Sequence, residues 1–239
     1  MRIKASYFKF VPVYIMILSI LYAAAIYGSN LFTVWNESRP CSSSVCIVID
    51  PGHGGIDGGA TSCTGAREST INLEIAIRLK DFFHLLGYET KMIREDDTSV
   101  YKDGKTIAAQ KISDLHERVR MVNDTENAVL ISIHQNYFEN PKYDGAQVFF
   151  SKEESSILAN NLQNAMIEYL NHQNNRKAKK VKNIYLIDHV KCPAVLIECG
   201  FLSNPIEECC LRNEEYQKKL SCVIGAKAAD YICIKPAVS

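Results

Sequence analysis

Val45-Cys46-Ile47-Val48-Ile49-Asp50-Pro51-Gly52-His53-Gly54-Gly55 is an apolar run that breaks into a glycine-rich turn with a histidine inside it. A short run of β-branched residues bounded by proline and glycine reads as a buried strand. Two other stretches share the design. Ala128-Val129-Leu130-Ile131-Ser132-Ile133 runs into His134, and Ala194-Val195-Leu196-Ile197 runs into Glu198-Cys199-Gly200. Between such runs lie amphipathic patterns. Leu73, Ala76, Leu79, Phe83 and Leu86 recur at three- and four-residue steps, and Gly87 closes that segment, which predicts a helix over 68–86. Strands are expected at 45–50, 88–93, 128–133, 145–151, 183–187 and 194–198. Helices are expected at 113–123, capped by Ser113, at 155–171, from Asn204-Pro205 for a short stretch, and at 214–233. Residues 98–112 read as a surface excursion and 177–182 as a solvated basic loop. Alternating strands and helices predict an α/β fold: a single domain with a mixed, mostly parallel central sheet of about six strands and helices on both faces.

In such sheets ligands collect outside the carboxyl ends of the strands. Two imidazoles, His53 and His134, and the carboxylate of Glu198 are delivered to that edge. Adding Glu68, at the start of the first helix, gives His53, Glu68 and His134 as a three-ligand metal set with an open position, and Glu198 as a separate general base. The four residues carry unequal weight. A glutamate in the first turn of a helix is favoured by the helix dipole anyway, so Glu68 is the least secured by pattern alone. A carboxylate directly after four apolar strand residues is costly unless it is paired, metal-facing or catalytic, which singles out Glu198. The glycine run 52–59 is no phosphate cradle, because no Gly-Lys-Ser/Thr follows it. Its glycines serve tight backbone turning. Arg94, Asp97 and Arg118 are expected to hold loops through internal ion pairs rather than bind substrate. His84, His116 and His172 fall on helices away from strand ends. His189, shortly before the last strand, and Asn136, two residues past His134, are candidate substrate-binding residues.

The 239 residues carry no net charge, which gives no electrostatic footprint for nucleic acid. Arg2, Lys4 and Lys9 precede an uncharged stretch from Phe10 to Tyr27. As a helix it would span roughly 27 Å, close to a bilayer core of about 30 Å. Residues 1–36 are therefore expected to be a membrane anchor, with 37–44 a linker and 45–235 the catalytic domain outside the cytoplasm. Export after cleavage near Ala23-Ala24-Ala25 is the alternative. Nine cysteines without zinc-finger or thioredoxin spacing are expected to be mostly reduced and structural, with Cys41–Cys46 and Cys209–Cys222 as the pairings open to them.

Several separated motifs agree in order. They are Val48–Ala60, Glu68 with Asn72-Leu73, Arg94 with Asp97, Arg118 with Asn123, Ser132–Asn136, Gly145–Phe150 and Pro193–Asn204. Together they resemble the zinc-dependent N-acetylmuramoyl-L-alanine amidases, over nearly all of Val45 to Ile232. The bare architecture, an anchor and one catalytic domain without wall-binding repeats, is most similar to the sporulation branch. The resemblance implies one Zn²⁺ ion held by His53, Glu68 and His134, with Glu198 as catalytic acid/base. It implies peptidoglycan as substrate, cut between the lactyl carbonyl of N-acetylmuramic acid and L-alanine. In the sporulation branch, that cut prepares muramic lactam formation in the spore cortex. Only a short turn, Asn136 to Asp144, follows the second histidine, so control is expected from timing, metal loading or an activating protein partner rather than an internal plug. Two other functions stay open at this point: a non-catalytic wall-binding or regulatory module on the same fold, and a zinc peptidase acting within the stem peptide.

Overall fold

The computed structural model describes residues 45–234 and, in the leader, 16–19 and 22, which are helical. No helix among the described residues is long and apolar enough to cross a membrane. The expected anchor and the linker 37–44 fall largely outside the described residues.

Residues 45–234 form an α/β unit around a six-stranded sheet. Its strands are β1 (Cys46–Pro51), β2 (Glu89–Met92), β3 (Ala128–Asn136), β4 (Gln147–Phe150), β5 (Lys179–Lys180) and β6 (Ala194–Phe201). The spatial order is β2-β1-β3-β6-β4-β5. β2, β1, β3 and β6 run parallel, β4 is antiparallel to β6, and β5 is parallel to β4. The helices are α1 (Glu68–Leu85), α2 (Ile107–Asn123), α3 (Ser156–Tyr169), α4 (Tyr185–His189), α5 (Pro205–Leu211) and α6 (Glu214–Ile234).

Successive strand side chains point to opposite faces, and the two halves of the core follow that parity. Ile47, Ile49, Val129, Ile131, Ile133, Val195 and Ile197 pack under α1, α3 and α6 with Ile75, Leu79, Leu162 and Ile224. Val48, Leu130 and Leu196 pack on the other face against Val122 of α2 and Leu186 and Ile187 of α4. The buried runs are apolar throughout because both faces are covered.

The structure departs from the sequence expectation at several places. Residues 183–187, expected as a strand, form the start of helix α4 instead. Asn183 adopts a φ of 76°, which breaks any extended run. The Asp188 carboxylate then accepts from the Asn183 backbone N–H and the Ser151 hydroxyl, closing the turn. The sixth strand is β5, two exposed residues inside the stretch expected as a loop. Helix α2 begins at Ile107, not after Ser113. Thr106 is its cap, accepting from the Ala109 N–H. Ser113 lies within the helix and accepts from the N–H groups of Lys102 and Asp103, which holds the preceding excursion down. Both β3 and β6 also run on past the expected ends, so His134 and Glu198 stand inside their strands.

Candidate metal centre

Strand parity brings the first two groups together. Asp50, Ser132, His134 and Glu198 all fall on the sheet face that carries Val48, Leu130 and Leu196. His134 and Glu198 are register partners across β3 and β6. One step lower, Ser132 opposes Asp50 and donates to its carboxylate at 2.6 Å.

His53 arrives by a different route. It follows β1 in a loop where its own φ is 62°. Two buried arginines hold the carbonyls of that loop. Arg94 donates to Pro51 O, Gly52 O and Ser69 O. Arg118 donates to Pro51 O and His53 O and pairs with Asp50 and Asp114. Asp97 pairs with Arg67. The expected loop-holding role of these residues is therefore seen, and in Arg94 the partners are backbone carbonyls rather than carboxylates. Burial would raise the Asp50 carboxyl, yet the Arg118 guanidinium beside it holds it below the usual range.

Glu68 opens α1 but does more than meet a helix dipole. It is buried. Its Oε1 faces both imidazoles, 3.2 Å from His53 Nε2 and 3.0 Å from His134 Nδ1. Its Oε2 accepts from the Ala60 N–H, and Oε1 also accepts from the Gln135 N–H. Burial pushes this carboxyl up, but the two histidines pull it well below its ordinary value. Gly52 makes the close approach possible, since a Cβ there would lie 2.2 Å from the His134 ring.

His53, Glu68 and His134 thus offer three ligand atoms within 4.8 Å of one another. Two imidazole nitrogens and a carboxylate oxygen are a donor set suited to zinc. The electrostatics point the same way. Burial would lower the His53 imidazole, but the hydrogen bonds its ring donates to the Asp57 and Glu68 carboxylates raise it to about 9, so the acidic surroundings favour a cation at this point. Glu198 stands apart from the cluster. Its Oε2 is buried with no hydrogen-bond partner among the described residues. Burial raises this carboxyl to about 7, with Glu68 adding to the rise and the histidines opposing it. An orphaned buried acceptor next to a convergent ligand set fits a metal centre with its own base.

A cleft of about 400 Å³ opens from the two histidines between α2 and α4, lined by Tyr101, Gln110, Lys111 and Tyr185 among others. His189 is exposed and stacks on Tyr185 at 4.0 Å without lining this cleft. Asn136 ends β3 opposite Phe201. Asp57 and Lys111 are the residues the sequence reading left without a role. The signal for Asp57 was a carboxylate four residues after a histidine across a glycine turn.

The N-acetylmuramoyl-L-alanine amidase sequence pattern matches residues 47–227. The chain belongs to that amidase family. The amidase is 36% identical over 226 residues to the germination-specific N-acetylmuramoyl-L-alanine amidase of Bacillus subtilis, covering 92% of each chain. Its structure is similar to the CwlD amidase from Clostridioides difficile, solved in complex with the GerS lipoprotein, with a TM-score of 0.77 and 36% identity over 80% of this chain and 99% of that one. It is also similar to an N-acetylmuramoyl-L-alanine amidase from Clostridium difficile 630, with a TM-score of 0.71 and 30% identity over 82% and 100% of the two chains.

Proposed function

We propose that this amidase cuts the amide between N-acetylmuramic acid and L-alanine of peptidoglycan with one zinc ion held by His53, Glu68 and His134, and with Glu198 as the proton carrier. The observation that carries this reading is the partnerless, buried Oε2 of Glu198 beside the three convergent ligand atoms. A zinc ion bound there supplies a Lewis acid for the lactyl carbonyl and lowers the pKa of a water molecule to about 7. Glu198 takes the proton of the attacking water at Oε2. The carboxyl then delivers it to the departing alanine nitrogen, which cannot leave as an anion. Burial raises the Glu198 carboxyl above its ordinary value, which favours its holding the proton between acceptance and return. Arg94 and Arg118 keep the His53 loop in place through its carbonyls.

The relatives support a physiological setting. Likeness to a germination-specific amidase and to CwlD supports work on the spore cortex, where removal of the peptide frees muramic acid for lactam formation. It supports an extracytoplasmic location; for the membrane anchor the support is the uncharged run from Phe10 to Tyr27 behind Arg2, Lys4 and Lys9. The complex of CwlD with a lipoprotein supports an activating protein partner for this amidase too. Mass spectrometry of muropeptides incubated with the purified protein, with chelator and after zinc addition, tests the proposal. Release of peptides with a free L-alanine amine, abolished by chelator and restored by zinc, is expected. Cleavage that leaves alanine on the sugar would indicate a peptidase, and no cleavage even with a cell extract that supplies the partner a binding module.

A further inference from the structure

Asp57 touches a proposed metal ligand without belonging to the ligand set. The sequence His53-Gly54-Gly55-Ile56-Asp57 folds back on itself. Gly54 N–H donates to Asp57 O at 2.7 Å and Asp57 N–H to Gly54 O at 3.1 Å. His53, Gly54 and Gly55 adopt φ values of 62°, 133° and 58°. The first is uncommon for a residue with a side chain and persists only where surrounding structure holds it. The product of this turn is one contact. Asp57 Oδ2 lies 2.9 Å from His53 Nδ1. The other ring nitrogen, Nε2, then faces Glu68 Oε1. Asp57 is itself held, because Lys111 Nζ of α2 lies 2.8 Å from its Oδ1.

We propose that Asp57 is a positioning residue. It accepts a hydrogen bond from His53 Nδ1–H, fixes the tautomer that leaves the Nε2 lone pair free, and aims that lone pair toward Glu68 and His134. Lys111 steadies the carboxylate from a separate helix. The inference rests on the metal centre proposed above. A partly exposed histidine–aspartate pair four residues apart is a modest ion pair, and a modest ion pair does not account for three consecutive residues at positive φ. Orienting a ligating imidazole through its second nitrogen does account for them.

Competition titration of the full chain against a chromophoric zinc chelator, with ¹⁵N NMR of the zinc-free chain at about pH 10, where the His53 ring is neutral and its tautomer is free to vary, tests this. Asp57→Ala should weaken zinc binding about ten- to a hundredfold. Asp57→Asn should lose less, because its amide presents either an acceptor or a donor to the ring, and its His53 should show a mixture of tautomers. Lys111→Met should weaken binding less than Asp57→Ala. Zinc affinity within twofold of the parent in Asp57→Ala, or an unchanged His53 tautomer in Asp57→Asn, overturns the inference. So does a loss of thermal stability without any change in tautomer, which assigns Asp57 to the turn alone. If the parent chain binds no zinc, the metal centre fails instead, and the tautomer in Asp57→Asn still decides the role of Asp57.

Discussion

His134 and Glu198 oppose each other across two adjacent parallel strands, on one face of the sheet. Parallel strands in register place an imidazole and a carboxylate side by side with no help from a loop. That fixed separation suits one group to hold an ion and the other to handle a proton. Glu198→Gln keeps the shape and removes the base. Zinc content should stay at one per chain, while muropeptide release falls ~10²–10⁴-fold. Melting temperature should hold or rise, since a buried carboxylate oxygen without a partner is replaced by a neutral group. Loss of zinc in this variant would make Glu198 a ligand.

Glu68 separates two roles by metal titration. If it only answers the helix dipole, Glu68→Ala should cost about 0.3–1 kcal/mol and leave zinc bound. Both histidines point at its Oε1, so the expected outcome is a folded variant that does not retain zinc through gel filtration. Normal zinc stoichiometry would remove Glu68 from the site.

Gly52 is tested by a single methyl group. Its Cβ would lie 2.2 Å from Cε1 and Nε2 of His134, and the ring has to move. Gly52→Ala should keep the fold, with zinc affinity down on the order of ten- to a hundredfold, as when support around a ligand is lost. Unchanged affinity would mean that the His134 ring position is not what holds the ion.

The buried pair Asp50–Arg118 sets an acid limit on stability. The Asp50 carboxyl is held below its ordinary value in the folded chain. Its contribution is therefore complete above the unfolded value of about 3.9 and is lost as pH falls through the lower, folded value. Asp50→Asn should cost about 3 kcal/mol at neutral pH, the low end for a broken buried pair, because Asp114 still pairs with Arg118. Urea melts from neutral to strongly acidic pH check both points. The gap between parent and variant should shrink as pH drops below about 4. A gap that does not change with pH would mean that Asp50 is not the titrating partner.

The sheet, and the places of His134 and Glu198 in it, were legible for one physical reason, whereas Glu68 rested mainly on the family resemblance. Buried parallel strands are apolar along their whole length, so a histidine or glutamate inside one stands out, as His134 and Glu198 do. Residues 183–187 were misread because a short apolar stretch fits a strand or a buried helical turn equally well. Only the positive φ of Asn183 and the Asp188 contacts decide it. The start of α2 was missed because its first turns are polar and exposed, and Ser113 imitates a cap. Asp57 was quoted within a motif but given no work. Its partner Lys111 sits 54 residues away along the chain, and no local pattern announces that contact.

The carbonyls of Pro51, Gly52 and His53 are gripped by two guanidinium groups that stay charged at every pH a cell reaches. Many small metal domains are unfolded until the ion arrives. Here two arginines, and not an ion alone, hold the shape of the loop. On the proposed zinc centre, an ion would load a receptor whose loop is held by arginines, and its removal should leave that loop in place.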